Sequence, residues 1–154
     1  MMDQQGENQP EIGPHLVVLP EWISCAPFER LLGMEIVAAK DGRAILSMPF
    51  RYEFAQGAGL MHGGALVSLA DTAVVMAIKS MVPENTHFAT IRLESEFLYP
   101  VRQGTVTAKA EAGFGKDRTI DGEATVFDDA GRAVLSFRST FKIAREPKIR
   151  GNSE

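Results

Sequence analysis

The chain has 154 residues, of which 45% are hydrophobic and 23% charged, and its net charge is -4. That balance is ordinary for one globular domain with a substantial core, and it gives no reason to expect nucleic acid or an anionic membrane as a partner. The single cysteine, Cys25, excludes a disulfide framework within one chain and fits a reducing, cytoplasmic setting.

Residues 1–20 are polar and carry Pro10, Gly13, Pro14 and Pro20, which reads as a flexible leader. Arg30 is the first basic side chain, so no secretory signal or Arg-rich transit peptide is expected. Pro27 to Leu32 predicts a short helix closed by Gly33, since proline suits a helix start and glycine the position after its end. Met34 to Val37 and Ala44 to Met48 flank Lys40-Asp41-Gly42-Arg43, and Asp-Gly between apolar runs signals a hairpin. A glycine-rich loop over residues 53–61 then leads into a long apolar helix that should end near Met81-Val82-Pro83. The stretch from Leu60 to Ile78 approaches transmembrane length. It holds His62, two glycines, Ser68 and Asp71 and lacks anchors on both flanks, which favours a buried helix over a membrane span.

After Pro83 the period becomes two. Ile91, Leu93, Phe97 and Tyr99 share one parity and Arg92, Glu94 and Glu96 the other, with Pro100 as the stop. Val106 to Ala112, Arg118 to Phe127 and Ala133 to Ile143 continue the alternation, the last two joined by a turn at Asp128-Asp129-Ala130-Gly131. One polar face per strand indicates an antiparallel sheet. The cationic end with Lys142, Arg145, Lys148 and Arg150 reads as solvated. A helix apolar nearly all round must be covered on most sides. The expected architecture is therefore α+β, a curved antiparallel sheet wrapped around one long helix. It would form a single domain over 21–145, between the leader and a tail at 146–154.

Asp71 is the only formally charged side chain between Phe54 and Ile78. Burying a carboxylate without a partner is costly, and the group tends to shift its pKa upward instead. On a helix it shares a stripe with Gly64, Val67, Ser68, Val74, Val75 and Ile78. Either it bonds a nearby hydroxyl, Ser68 or Thr72, for structure alone, or it has a chemical use. His62-Gly63-Gly64 opens the same helix. Glycines are poor helix formers, but they let a ligand approach the backbone where first-turn N–H groups lack internal partners. Such a start can hold an anion or polarise a carbonyl oxygen; the alternative is a plain turn with a packed His62. Gly63 and Asp71 are eight residues apart, or ~12 Å of helix. If both serve one reaction, Asp71 must come from a second subunit of a two-fold dimer.

The pattern Gly59-x-x-His62-Gly63-Gly64-x(6)-Asp71-Thr72-Ala73, followed by Thr90-Ile91-Arg92-Leu93-x(3)-Phe97-Leu98-x-Pro100, resembles the hotdog-fold acyl-CoA thioesterases of the phenylacetate-pathway, PaaI-like type. The resemblance covers residues 28 to 143. It implies a hotdog fold, homodimers often paired into tetramers, and hydrolysis of acyl-CoA thioesters with no metal or other cofactor. By position, Asp71 matches the acidic general base or nucleophile, and Gly63 the residue whose backbone N–H polarises the thioester carbonyl. His62 matches the residue that shapes that loop, with Gly64 beside it. Thr90 matches a hydroxyl position that helps place water, although its parity belongs to the polar face, which a bulge or strand end would have to explain. Gln56 falls where many members have Asn, one methylene shorter. Lys116 and Arg118, in Gly115-Lys116-Asp117-Arg118 between two strands, could meet the phosphates of coenzyme A, or could form an ordinary charged turn. A non-catalytic acyl-CoA-binding hotdog protein is the main alternative, and a hotdog hydratase lacks the His-and-acid pair it would need.

Other signals carry less. Gly57-Ala58-Gly59-Leu60-Met61-His62 departs from a dinucleotide fingerprint at its last position and lies in no βαβ unit. The three histidines, His15, His62 and His87, show no metal-ligand spacing. Trp22 is expected to pack rather than bind.

Overall fold

The structure, a computed structural model, describes residues 11–145. The parts of the leader at 1–10 and the tail at 146–154 lie outside the described residues. Residues 14–19 form neither helix nor strand and are mostly exposed. The short helix α1 spans Pro27–Leu31, with Gly33 at φ +71° beyond its cap. Strands β1 (Glu35–Lys40) and β2 (Arg43–Pro49) pair antiparallel through a turn in which Asp41 and Gly42 both take positive φ, 52° and 78°. That is the backbone a two-residue hairpin needs and the reason Asp-Gly marks one.

A 3-10 turn at Tyr52–Phe54 and the loop after it deliver the chain to the long helix α2, Gly63–Lys79. This helix ends two residues short of the expected stop. Ser80 takes the cap, its hydroxyl donating to the Ala77 carbonyl and accepting from the Gly42 N–H of the hairpin turn. Then follow β3 (Phe88–Phe97), β4 (Thr105–Phe114), β5 (Thr119–Phe127) and β6 (Ala133–Ile143). All neighbours are antiparallel, in the spatial order β1-β2-β4-β5-β6-β3.

This is the expected hotdog arrangement. The helix packs across the middle of the sheet, against β2, β4, β5 and β6. Leu66, Leu69, Ala70, Ala73, Val74, Met76, Ala77 and Ile78 of α2 meet Leu46, Val106, Ile120, Val126, Leu135 and Phe137 from the strands in one buried cluster. On the opposite face of the sheet Arg43, Glu111, Glu123, Arg138 and Glu94 stand in one cross-strand row, keeping that side polar.

Strand β3 occupies the edge. Its pairing with β6 steps from Thr90↔Phe141 to Arg92↔Thr140, so Ile91 is an extra, unpaired residue in a β-bulge. Beyond the bulge Leu93, Ser95 and Phe97 stand opposite Ser139, Phe137 and Leu135, which places them on the helix side. Ser95 Oγ is buried there, while Ile91, Leu93 and Phe97 remain 60%, 44% and 57% exposed.

Candidate active site

The sheet covers only part of α2. Gly64, Ala65, Val67, Ser68, Asp71, Val75 and Lys79 form a seam along it that is half-buried or exposed. Val74 and Ile78, expected on the same stripe, turn inward and are fully buried. Asp71 sits at the middle of the seam.

Neither local hydroxyl binds Asp71. Ser68 donates to the Gly64 carbonyl one turn back, at 2.7 Å, and Thr72 is buried on another face. The partner comes instead from β3. Thr90 Oγ1 donates to Asp71, 3.1 Å from Oδ1 and 3.4 Å from Oδ2. The Ile91 bulge makes this possible, because it moves Thr90 from the polar face to the side of Leu93. Burial pushes the Asp71 pKa above the usual carboxylate range, and the Thr90 hydroxyl partly opposes that by stabilising the charged form.

The other end of the seam is the start of α2. His62 is its N-cap, and its Nδ1 accepts the Gly64 N–H at 2.8 Å. That bond requires the ring hydrogen on Nε2. The His62 N–H donates to Phe54 at 2.7 Å and the Met61 N–H to Val101 at 2.9 Å, so the entry to the helix is tied down on both sides. Among the described residues nothing accepts from the Gly63 N–H, leaving it one of the unmatched donors at the positive end of the helix. Both glycines have a packing reason. A Cβ on Gly63 would stand 2.9 Å from the Phe97 ring, and one on Gly64 2.9 Å from His62 Nδ1.

Gln56 lies half-buried in the loop before the helix, with its side-chain oxygen accepting the Ala58 N–H and its backbone closing a turn with Gly59 and Leu60. Lys116 and Arg118 lie in the β4–β5 turn, beside the residues where β6 ends and β3 begins. Asp117 and Arg118 both take positive φ there, and Arg118 Nη1 donates to the Ile143 carbonyl at 3.2 Å. Lys142 reaches the same turn through the Asp117 carbonyl. The region is cationic and partly braced.

The structure thus joins Asp71 to Thr90 and Gly63 to Phe97, and keeps the two pairs at separate points of one helix. Reasoning from sequence placed Phe97 on the apolar parity without seeing it over Gly63. It gave Lys79 no role, although Lys79 continues the seam two turns beyond Asp71. A carboxylate with raised proton affinity and a vacant N–H at a helix start are the ingredients of acyl-transfer chemistry.

Comparison with known proteins bears on this geometry. The model of the thioesterase superfamily matches residues 58–135, which include both ends of the seam. A 1,4-dihydroxy-2-naphthoyl-CoA hydrolase of Listeria monocytogenes is 29% identical over 122 residues, spanning 78% of this chain and 98% of that one. Among solved structures, the PaaI protein from the phenylacetic acid degradation operon of E. coli superposes with a TM-score of 0.71 at 26% identity, covering 78% of this chain and 86% of its own. A mutant thioesterase of Pseudomonas aeruginosa gives 0.70 at 28% identity, with 76% and 85% covered.

Proposed function

The chain belongs to the thioesterase superfamily as a PaaI-like member with a hotdog fold, and on that premise we propose that it hydrolyses acyl-CoA thioesters at a site shared by two subunits. The supporting observation is the half-buried Asp71 carboxylate, held by Thr90 on the same open seam as the unmatched Gly63 N–H. Within one chain the two are ~12 Å apart along α2, too far to act on one carbonyl. Two α2 helices laid antiparallel about a two-fold axis at Val67, midway between them, bring each Asp71 opposite Gly63 of the partner subunit. The uncovered edge β3, with Leu93 and Phe97 exposed on the helix side, provides the apolar surface such a dimer needs. A dimer of dimers would build on the same pair.

In this arrangement the thioester oxygen accepts the Gly63 N–H, which favours the charge that develops there. The Asp71 carboxylate takes a proton from water, and the hydroxide adds to the carbonyl carbon. The tetrahedral adduct collapses with loss of coenzyme A thiolate, which recovers a proton. Direct attack by Asp71, through a mixed anhydride that water then cleaves, gives the same products. Oxygen-18 from solvent appearing in the Asp71 carboxyl after a single turnover marks the anhydride route, since general-base hydrolysis leaves that carboxyl unlabelled. His62 and Gln56 shape the carbonyl end, and Lys116 and Arg118 meet the phosphates.

The test is a thiol-release screen over short, medium, long and aryl acyl-CoA esters, run beside Asp71→Asn. Aryl esters belong in the panel because the Listeria relative is named for one. Turnover that the substitution removes sustains the reading, and binding of the esters without turnover replaces it with a carrier or sensor.

A further inference from the structure

A second feature lies next to Thr90, the partner of Asp71. A cavity of about 330 Å³ opens beside Thr90 and follows α2, lined by Val75, Phe88 and Phe141 along its length and by Trp22 and Lys79. Its volume is at the low end of those that small-molecule sites occupy. Val75 is one helical turn beyond Asp71 and Lys79 two, so it reaches ~12 Å along the helix from the carboxylate. The side walls are fixed: the Phe88 and Phe141 rings meet edge to face, with centroids 5.8 Å apart at 63°.

Trp22 and Lys79, which bound the cavity along the last turns of α2, form a reciprocal clasp. Trp22 Nε1 donates to the Lys79 carbonyl at 2.9 Å, Lys79 Nζ donates to the Trp22 carbonyl at 3.0 Å, and the ammonium lies 4.7 Å from the centre of the indole ring. The indole thereby satisfies a carbonyl in the last turn of α2 and folds the amino-terminal segment over it. A carbonyl and an aromatic face already partner the Lys79 charge, so the end wall presents ring and stem rather than an anion site. Val75, Phe88 and Phe141 offer an apolar surface to an acyl chain, while Thr86, His87 and Thr90 add polar groups to the same lining.

We infer that this cavity receives the acyl group of the thioester, and that Trp22, held by Lys79, is the residue that sets how long an acyl group the enzyme accepts. The inference rests on the hydrolase reading for its reaction but not for its binding test. An aryl or medium-chain acyl group fits the length available, and a long fatty acyl chain runs into the indole.

Trp22 is the only tryptophan of the chain, so its fluorescence reports the end wall directly. Octanoyl-CoA titrated into the Asp71→Asn protein should give a saturable change in Trp22 emission, and coenzyme A alone should give none. In the turnover assay, Trp22→Ala should raise the palmitoyl-to-octanoyl ratio of kcat/KM by roughly tenfold or more, and Trp22→Phe by less. An unaltered chain-length profile in a folded Trp22→Ala protein overturns the inference, as does an equal emission change with coenzyme A alone. If octanoyl-CoA is hydrolysed without disturbing Trp22, the cavity assignment fails while the hydrolase stands. If it disturbs Trp22 and is never hydrolysed, the cavity assignment stands while the hydrolase fails.

Discussion

The Thr90 hydroxyl reaches Asp71 from a different element, 3.1 Å from one carboxylate oxygen and 3.4 Å from the other, because one extra residue in β3 turns it toward the helix. That bond stabilises the charged carboxylate against the burial that disfavours it. Thr90→Val should therefore raise the Asp71 pKa further and move the acidic limb of the kcat/KM profile to higher pH. A hydrogen bond to a charged group contributes ~1.5–3 kcal/mol, which corresponds to a displacement of that limb by about one to two pH units. Thr90→Ser should restore both, and an unmoved limb in Thr90→Val would show that the bond does not tune the carboxylate.

Asp71→Asn should cut thiol release by ~10²–10⁴-fold, the usual contribution of a positioned base, while leaving assembly intact. The same substitution should stabilise the fold. A folded-state pKa above the unfolded one means the native state binds more protons in the interval between them, so stability falls as pH rises through it and stays lower above. Asn escapes this loss and keeps an oxygen for Thr90. Its Tm should exceed that of the parent at neutral pH, by ~2–4 °C for each ~1 kcal/mol recovered, and the gain should vanish below the carboxylate range. Scanning calorimetry across pH measures it.

Gly63→Ala places a methyl 2.9 Å from the Phe97 ring. Crowding of this kind costs ~1–3 kcal/mol unless the neighbour yields. Phe97→Leu on top of Gly63→Ala should recover most of the lost Tm, a coupling a double-mutant cycle reads directly. Additive losses would mean that the two residues do not meet.

Leu93→Glu should leave the protomer folded, since Leu93 is 44% exposed, but should break assembly through β3. Sedimentation velocity should show a monomer, and thiol release should track the remaining dimer fraction. A fully active monomer would remove the shared site.

Much of this layout was readable from local chemistry. Asp41-Gly42 dictates its own turn, and the alternation from Thr105 to Ile143 dictates three strands with one inward face. Asp71 stood out because an isolated charge in an apolar helix has few cheap explanations. Its partner was harder to see, because parity arguments assume an unbroken ladder and the Ile91 bulge breaks it. The local hydroxyls Ser68 and Thr72 were the nearest in sequence, but helix geometry gives Ser68 a carbonyl one turn back and turns Thr72 into the core. Sequence context points Trp22 toward packing, and it does pack. That its contact would be Lys79, far along the chain, depends on the path of the amino-terminal segment, which no periodicity encodes.

A ten-residue strand left bare at the rim of a sheet, with Ile91, Leu93 and Phe97 showing, is a template for runaway fibril growth as much as for orderly pairing. Two features of the same strand act as brakes. The bulge interrupts the ladder after Thr90, and the charges of Arg92, Glu94 and Glu96 line the reverse face against stacking. In a protomer whose rim is unoccupied, that interruption and those charges are what oppose stacking.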